Sequence, residues 1–457
     1  MKFKQIYSKI LLRGAHYDQP KLSLLRIREV LHRLGDPDSS FKSVIIAGTN
    51  GKTSTARILE SILRSFGFRT GLYTSPHLIS ITERISVNGN PISKKQFVKI
   101  YKQIIPIVEE YEEELAENGE HAGTLNFFEL LTVMAVFAFA TENVHFAVVE
   151  VGLGGRFDAT NVLNSSICII TSIDYDHTQY LGSQLTQIAF EKAGIIKNAD
   201  AVIVAKQVQA AEEVLLDEAE KQEIRAVFLQ NRDFEALDDS AVAQNSLGEI
   251  MNIRTTRGVY ENLYLNLLGD YQVSNAALSI LAAEELIAQD GRMLEYGPLK
   301  DALQGVTSPG RLQVLSFEPL IVVDVSHNPQ GAKVMVNSFH ATFEFDHIIG
   351  VVGILADKDA EKMFEFYEDL FDCVVVTKNS SERSCSAKQL QQLALKHFDS
   401  SDVHKKSNLK HAVDFALDLV DDMHDAKVAV LITGSAVTAG DALEYLQKSK
   451  NLKLVEC

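Results

Sequence analysis

An α/β fold built in two successive units is what this sequence predicts, and three observations predict it. Short β-branched apolar runs alternate with longer amphipathic stretches along most of the chain. That is the pattern of strands buried on both faces by crossover helices, and so of mostly parallel sheets. The alternation breaks near residue 305 and then begins again. Finally, a chain of 457 residues exceeds one ordinary core, since domains run to roughly 100–200 residues.

In the first unit, Ser43–Ala47 reads as a strand. The following stretch, Ser54–Phe66, places Ala56, Leu59, Ile62, Leu63 and Phe66 at helical spacing. The apolar runs Phe146–Val151, Ile167–Thr171 and Ala201–Ala205 supply further buried strands. Residues 206–262 are more acidic and less periodic, and are expected to elaborate this unit. A helix over Ser274–Ala288 precedes Thr307-Ser-Pro-Gly-Arg311, whose Pro-Gly pair is a strong break. The boundary is set there, dividing the chain into 1–305 and 306–457. In the second unit, Leu320–Val325, Ile348–Leu355, Cys373–Thr377 and Val428–Thr433 repeat the strand pattern.

Composition excludes several classes. With 46% apolar and 23% charged residues, 9 prolines and 26 glycines, the chain is neither collagenous nor largely disordered. The 44 basic and 61 acidic residues give a net charge of −17, which repels phosphate backbones. Nucleic acid is therefore not expected as a partner, and an anionic substrate needs a locally basic pocket. Cys168, Cys373, Cys385 and Cys457 are scattered without metal or disulfide spacing, so a reducing cytoplasm is expected. The first ten residues have no apolar core to read as a signal peptide. The longest apolar run, Leu130–Ala140, is interrupted by Thr132 and falls short of the ~20 residues that span a bilayer. No membrane association is expected.

The sharpest chemical signal is the run Gly48, Thr49, Asn50, Gly51, Lys52, Thr53, Ser54, placed after a strand and opening a helix. Backbone N–H groups in such a loop, with the helix N-terminus, cradle polyphosphate. Lys52 would neutralise the terminal phosphates, and the hydroxyl of either Thr53 or Ser54 would reach Mg2+. The strict Walker pattern is not met, because Ile46 stands at its first glycine position. The run Gly152-Leu-Gly-Gly-Arg-Phe157 also follows a strand, but Phe157 stands where a dinucleotide fingerprint needs glycine. It reads instead as a turn that displays Arg156 and Asp158 at the strand's C-terminal edge, where open α/β sheets bind ligands.

A wider series of motifs occurs in a fixed order. It includes Thr74-Ser-Pro-His77, Glu83-Arg84, Phe128-Glu129, Glu150-Val-Gly-Leu-Gly-Gly-Arg156, Asp158-Ala-Thr-Asn161 and Asp176-His177. Glu191-Lys-Ala-Gly-Ile195, Leu268-Gly-Asp-Tyr-Gln272, Pro309-Gly-Arg311, His327-Asn-Pro329, Asp357-Lys-Asp359 and Ile432-Thr-Gly-Ser435 continue it. With the phosphate loop, this series resembles the folylpolyglutamate synthase/dihydrofolate synthase family, a branch of the Mur ligases, from about residue 20 to 440.

The resemblance implies a P-loop-containing Mur-ligase-type ATPase domain with the pterin site, followed by a smaller Rossmann-like α/β domain for glutamate. ATP would phosphorylate a carboxylate, and the amine of L-glutamate would displace the phosphate. Acceptors would be dihydropteroate and reduced folates, and the protein a cytoplasmic monomer. Ser75, Glu150, His177 and Lys192 match the family's ligands for two Mg2+ ions. Lys192 matches a lysine carbamylated by CO2, which turns a cation repelled by the metal into an anionic oxygen ligand. Asn275, Arg311 and Asp324 match the adenine and ribose side, with Arg311 a candidate phosphate clamp. His327 is implied to link the nucleotide and glutamate regions, and Ser435 to contact glutamate. Asn126, Phe127, Phe128 and Glu129, with Phe157, Asp158 and Ala159, match the pterin-binding regions. Lys52, His177, Lys192 and His327 are thus the expected catalytic set.

One departure is Thr53 after the loop lysine, where many members have glycine. Cell-wall Mur ligases share that form but bind a UDP-sugar in an extra N-terminal domain, for which residues 1–47 are expected to be too few. Folylpolyglutamate synthase activity alone, or a P-loop ATPase or switch without ligase activity, are the alternatives.

Overall fold

The first apolar runs form the centre of an eight-stranded sheet. Its strands are β1 (Lys42–Ala47), β2 (Thr70–Tyr73), β3 (Ile85–Val87), β4 (Asn90–Pro91), β5 (Phe146–Glu150), β6 (Ser165–Ile170), β7 (Ala201–Val204) and β8 (Ala226–Leu229). The order is β4-β3-β2-β5-β1-β6-β7-β8, parallel from β2 to β8 with an antiparallel hairpin, β3-β4, at one edge. Alternate residues of β1 go to opposite sides. Ile45 and Ala47 join one core layer, Val44 and Ile46 the other, and all are fully buried. That is why the run reads as continuously apolar. The structure, a computed structural model, describes residues 2–14, 20–118, 124–237, 241–242, 247–423 and 426–448. Cys457 lies outside them.

Helices cover both faces of this sheet. The Phe127–Thr141 helix packs in the first layer, while the Lys52–Ser65 and Asp270–Gln289 helices pack in the second. The latter two begin two and four residues earlier than the apolar pattern indicates, because polar first turns carry no periodic signal. The stretch 206–262 divides differently from expectation. It first completes the main sheet, through the Gln209–Lys221 helix and the half-buried edge strand β8, whose apolar run is only four residues long. Only then comes a small antiparallel sheet of β9 (Glu235–Ala236), β10 (Ala241–Val242), β11 (Glu249–Arg254) and β12 (Val259–Leu265).

The second cycle forms a six-stranded sheet. Its strands are β13 (Gln313–Phe317), β14 (Leu320–Val323), β15 (His347–Val352), β16 (Cys373–Val376), β17 (Val403–Lys405) and β18 (Val428–Thr433). The order is β13-β14-β18-β15-β16-β17, parallel except for the β13-β14 hairpin. This is the mixed α/β architecture expected, a large parallel sheet followed by a smaller one. Among the described residues, no helix is long and apolar enough to cross a membrane.

Topology puts the chemistry at one place. From β1 the chain moves to β2 and then back to β5, beside β1, before crossing to β6 on β1's other side. The C-terminal ends of β1, β5 and β6 therefore surround a switch point, where open α/β sheets form their crevice.

Candidate active site at the sheet switch point

A cavity of about 380 Å³ lies over that switch point and is closed from the other side by the second unit. The phosphate loop leaves β1 with two glycines where any side chain would be strained. Gly48 has φ +145°, and a Cβ there would lie 1.8 Å from Thr171 Oγ1. Gly51 has φ +89°, and its Cβ would lie 2.5 Å from Asn275 Oδ1. The loop is thus held against both β6 and the Asp270–Gln289 helix.

Glu150, at the end of β5, is 2% exposed. Its carboxylate accepts from Thr53 Oγ1 at 2.9 and 3.1 Å and from the Ser75 amide at 3.0 Å. Burial pushes its pKa up, and the nearby Lys52 charge opposes that rise. The two loop hydroxyls separate here. Thr53 faces Glu150 and also accepts from Arg311 Nη2 at 3.4 Å, whereas Ser54 Oγ meets Ser308 Oγ at 3.3 Å.

Two lysines share the loop. Lys52 Nζ donates to the Gly48 and Thr49 carbonyls at 3.0 and 2.9 Å. Lys192, 4% exposed at the end of the Leu185–Ala193 helix, donates to the Gly48 carbonyl at 2.6 Å. Burial lowers both pKa values, and the charge of Lys52 lowers that of Lys192 further. Lys192 is therefore no exposed helix lysine, the reading its local composition alone favours.

Beyond β6, Asp176 and His177 meet the second unit. Asp176 pairs with Lys358 Nζ at 2.6 Å, accepts from Asn328 Nδ2 at 3.1 Å, and lies 3.6 Å from His327 Nε2. Burial alone would raise the Asp176 pKa, but His327, His177 and the Lys358 ammonium hold it well below the carboxylate range. Burial lowers His177 to about 4, leaving its imidazole neutral at physiological pH. Asn50 bridges the units too, donating to Gln330 Oε1 at 2.5 Å and accepting from Asn328 at 3.2 Å. Asp324 braces the turn after β14, accepting from the Leu312 and Ser326 amides at 2.9 and 2.7 Å.

The residues from Gly48 to Ser54, with Ser75, Glu150, His177, Lys192, Asn275, Arg311, Asp324 and His327, all line this one cavity. The remaining candidates do not line it. Asn126 and Glu129 form a capping box on the Phe127–Thr141 helix, and Glu129 pairs with Arg26 at 3.2 Å. Phe128 packs on Tyr73, with ring centres 5.7 Å apart, and Phe127 lies beneath Arg84. Asp158 caps the short turn Ala159–Val162, and its carboxylate accepts from the amides of Gly152, Leu153 and Thr160 at 2.9–3.1 Å. Phe157 is half-buried and Ala159 buried beside it. Ser435, 1% exposed, is bound to Asn379 and the Gly353 carbonyl at 3.1 and 3.2 Å.

Asp176, Lys358, Asn328, Gln330 and Tyr271 carry no assigned role from the sequence, although all but Gln330 sit inside quoted motifs. Spacing cannot reveal that residues 182 positions apart form an ion pair.

A phosphate loop whose cleft is completed by the C-terminal edge of a second α/β unit defines a Mur-type ligase. Residues 46–283 match the Mur ligase middle domain, and residues 310–436 the Mur ligase glutamate ligase domain. Within that class, the chain is 39% identical over 437 residues to the dihydrofolate synthase/folylpolyglutamate synthase of Mycobacterium tuberculosis, covering 92% of this chain and 89% of the relative. It is 33% identical to the Bacillus subtilis protein of the same name, over 93% and 95%. The structure of Mycobacterium tuberculosis folylpolyglutamate synthase complexed with ADP superposes with a TM-score of 0.91, at 37% identity, over 98% of both chains. The chain belongs to the Mur ligase family, in its dihydrofolate synthase/folylpolyglutamate synthase branch.

Proposed function

We propose that this chain is an ATP-dependent amide ligase. It adds L-glutamate to dihydropteroate and to the γ-carboxylate of reduced folates through an acyl phosphate. The observation that carries this reading is the cavity in which a phosphate loop and a buried carboxylate face the second unit's Arg311 and His327. A carboxylate is a poor acyl donor because oxide is its leaving group. Phosphorylation by ATP supplies a better one, and the protein's work is positioning and charge stabilisation.

Roles follow from chemistry. The loop amides and Lys52 bind the polyphosphate, and Arg311, reaching Thr53 from the second unit, steadies it when the units meet. Asn275 and Asp324 border the nucleoside side. The oxygen set of Glu150 and Thr53, beside Ser75, is the hard-donor chemistry that Mg2+ takes. Among the described residues, no group of three or more His, Cys, Asp or Glu side chains could hold a metal alone. Bound Mg2+ would neutralise phosphoryl charge. His177 and Lys192 border a second such site. The Lys192 amine, buried without a carboxylate partner among the described residues, suits carbamylation by CO2. Division at residue 305, a cytoplasmic location and a monomeric state belong to the same proposal, supported by the scattered cysteines and by a cleft completed within one chain.

Phosphate release from ATP that requires both a pteroate or folate acceptor and glutamate tests the reading. Assays in parallel with dihydropteroate and tetrahydrofolate separate a bifunctional enzyme from a folylpolyglutamate synthase. Release without acceptor would indicate a plain ATPase and overturn the proposal.

A further inference from the structure

Arg84 is an anomaly that the cavity chemistry leaves unexplained. It ends the short 3-10 turn Ile81–Arg84 and is only 8% exposed. A buried guanidinium ordinarily requires an anion, and Arg26, similarly buried, has one in Glu129 at 3.2 Å. Arg84 forms no ion pair among the described residues. Its Nε donates to His77 Nδ1 at 2.9 Å, an uncharged acceptor, and its flat face lies 5.4 Å from the centre of the Phe127 ring. The two acids whose charge reaches it are already occupied: Glu150 accepts from Thr53 and the Ser75 amide. Glu83 accepts from the amides of Leu78, Ile79 and Ser80 at 2.9, 3.1 and 2.6 Å. The Nη groups therefore present an unused, planar pair of donors, the fork that matches a carboxylate.

The fork's position says which carboxylate. The Arg84 carbonyl accepts from the Thr74 amide at 3.0 Å, and the next residue, Ser75, donates to Glu150 at 3.0 Å. Arg84 is thus tied to the loop that borders the phosphoryl site, yet it does not line the cavity itself. An acid whose reacting carboxylate sits in the cavity would place a second carboxylate a few bonds farther out. A terminal glutamyl residue has that form, its α- and γ-carboxylates separated by three carbons.

We propose that Arg84 binds the non-reacting α-carboxylate of a glutamyl-terminated acceptor and so directs the γ-carboxylate to ATP. The proposal rests on the folate-ligase reading above. Dihydropteroate has only the reacting carboxylate and gains nothing from this contact, so Arg84 distinguishes the two acceptor types.

The test compares the wild type, Arg84→Gln and Arg84→Lys on three acceptors: tetrahydrofolate, its α-carboxamide and dihydropteroate. Thermal melts and ADP affinity report folding. In the wild type, the α-carboxamide should lose about tenfold or more in kcat/KM, the usual weight of a charge-assisted contact. Arg84→Gln should lose about tenfold more on tetrahydrofolate than on dihydropteroate, mainly in KM, and should no longer distinguish acid from amide. Arg84→Lys should keep part of the preference. Equal losses on tetrahydrofolate and dihydropteroate, or a wild type indifferent to the α-amide, would overturn the assignment. If the wild type turns over neither acceptor, the ligase reading itself fails. Calorimetric titration with folate and its α-amide then decides the Arg84 site: a preference for the acid that Arg84→Gln abolishes keeps it, and equal affinities remove it.

Discussion

Lys52 shows how a single side chain is prepared for its ligand. Its side chain is half-buried, and among the described residues only the two loop carbonyls hydrogen-bond it. Burial depresses its pKa, so a nearby polyphosphate would restore favourable surroundings for the charge. Lys52→Ala should keep its fold, judged by circular dichroism, and lose about 100-fold or more in steady-state rate, because preorganised charge contacts contribute several kcal/mol to such transfers. Near-normal turnover in folded protein would remove the nucleotide assignment. Lys52 was legible from the sequence because the Gly-Lys-Thr core between a strand and a helix is a local signal, even with Ile46 in place of the first glycine. Arg84, although it stands in a quoted motif, received no role from it, since its significance lies in the ion pair it lacks among the described residues.

Elements set a limit on what motif matching can assign. The resemblance matches Asp158 to the pterin region; what the structure shows is that it organises the turn between β5 and β6. Three backbone amides and the Thr160 hydroxyl converge on its buried carboxylate. Asp158→Ala should therefore destabilise the protein by about 1–3 kcal/mol in urea denaturation, the cost of orphaned buried donors. Asp158→Asn, which keeps one acceptor oxygen, should cost less. If Asp158→Ala unfolds like the wild type but dihydropteroate use collapses, the residue belongs to the substrate rather than to the turn. The Asn126–Glu129 capping box is a comparable case, since its spacing is a helix-start signature as well as part of a family motif. The strands were easiest to read where both faces are buried, as in β1 and β5, and hardest at edges such as β8, a run of four, and β17, where polar residues interrupt it.

At the scale of the whole molecule, the two units meet through polar groups around Asp176. The side chains of Asp176 and Lys358 are 10% and 6% exposed. Removing one partner of such a buried pair costs about 3–5 kcal/mol, because the other charge is left uncompensated. Lys358→Ala should lose stability on that order and loosen the cleft, seen as a larger radius of gyration in solution scattering. The double variant Lys358→Met/Asp176→Asn should recover much of the loss. The Asp176 pKa is held below its unfolded value, so the pair contributes fully above about pH 4 and progressively less in stronger acid. The penalty of Lys358→Ala should shrink accordingly as pH falls below 4. A penalty independent of pH would place its cause elsewhere. The existence of two units was visible in the alternation of runs, but their mutual orientation depends on contacts between residues far apart in the chain.

The hydrogen bond from Lys192 to the Gly48 carbonyl lets the proposed carbamylation be tested through the protein's gaseous surroundings. If Lys192 is carbamylated as proposed, a buried amine that bonds one loop carbonyl, with no carboxylate beside it among the described residues, would exchange with dissolved carbon dioxide only as fast as the gas reaches the interior. Activity would then carry a record of recent exposure. Protein purified and stored under CO2-free gas should start slowly when assayed, with a lag that bicarbonate abolishes. Isotope-labelled 13CO2 should give a carbamate carbon signal that disappears in Lys192→Ala. Immediate full activity in rigorously degassed buffer, with no labelled signal, would mean that the lysine works as a plain amine.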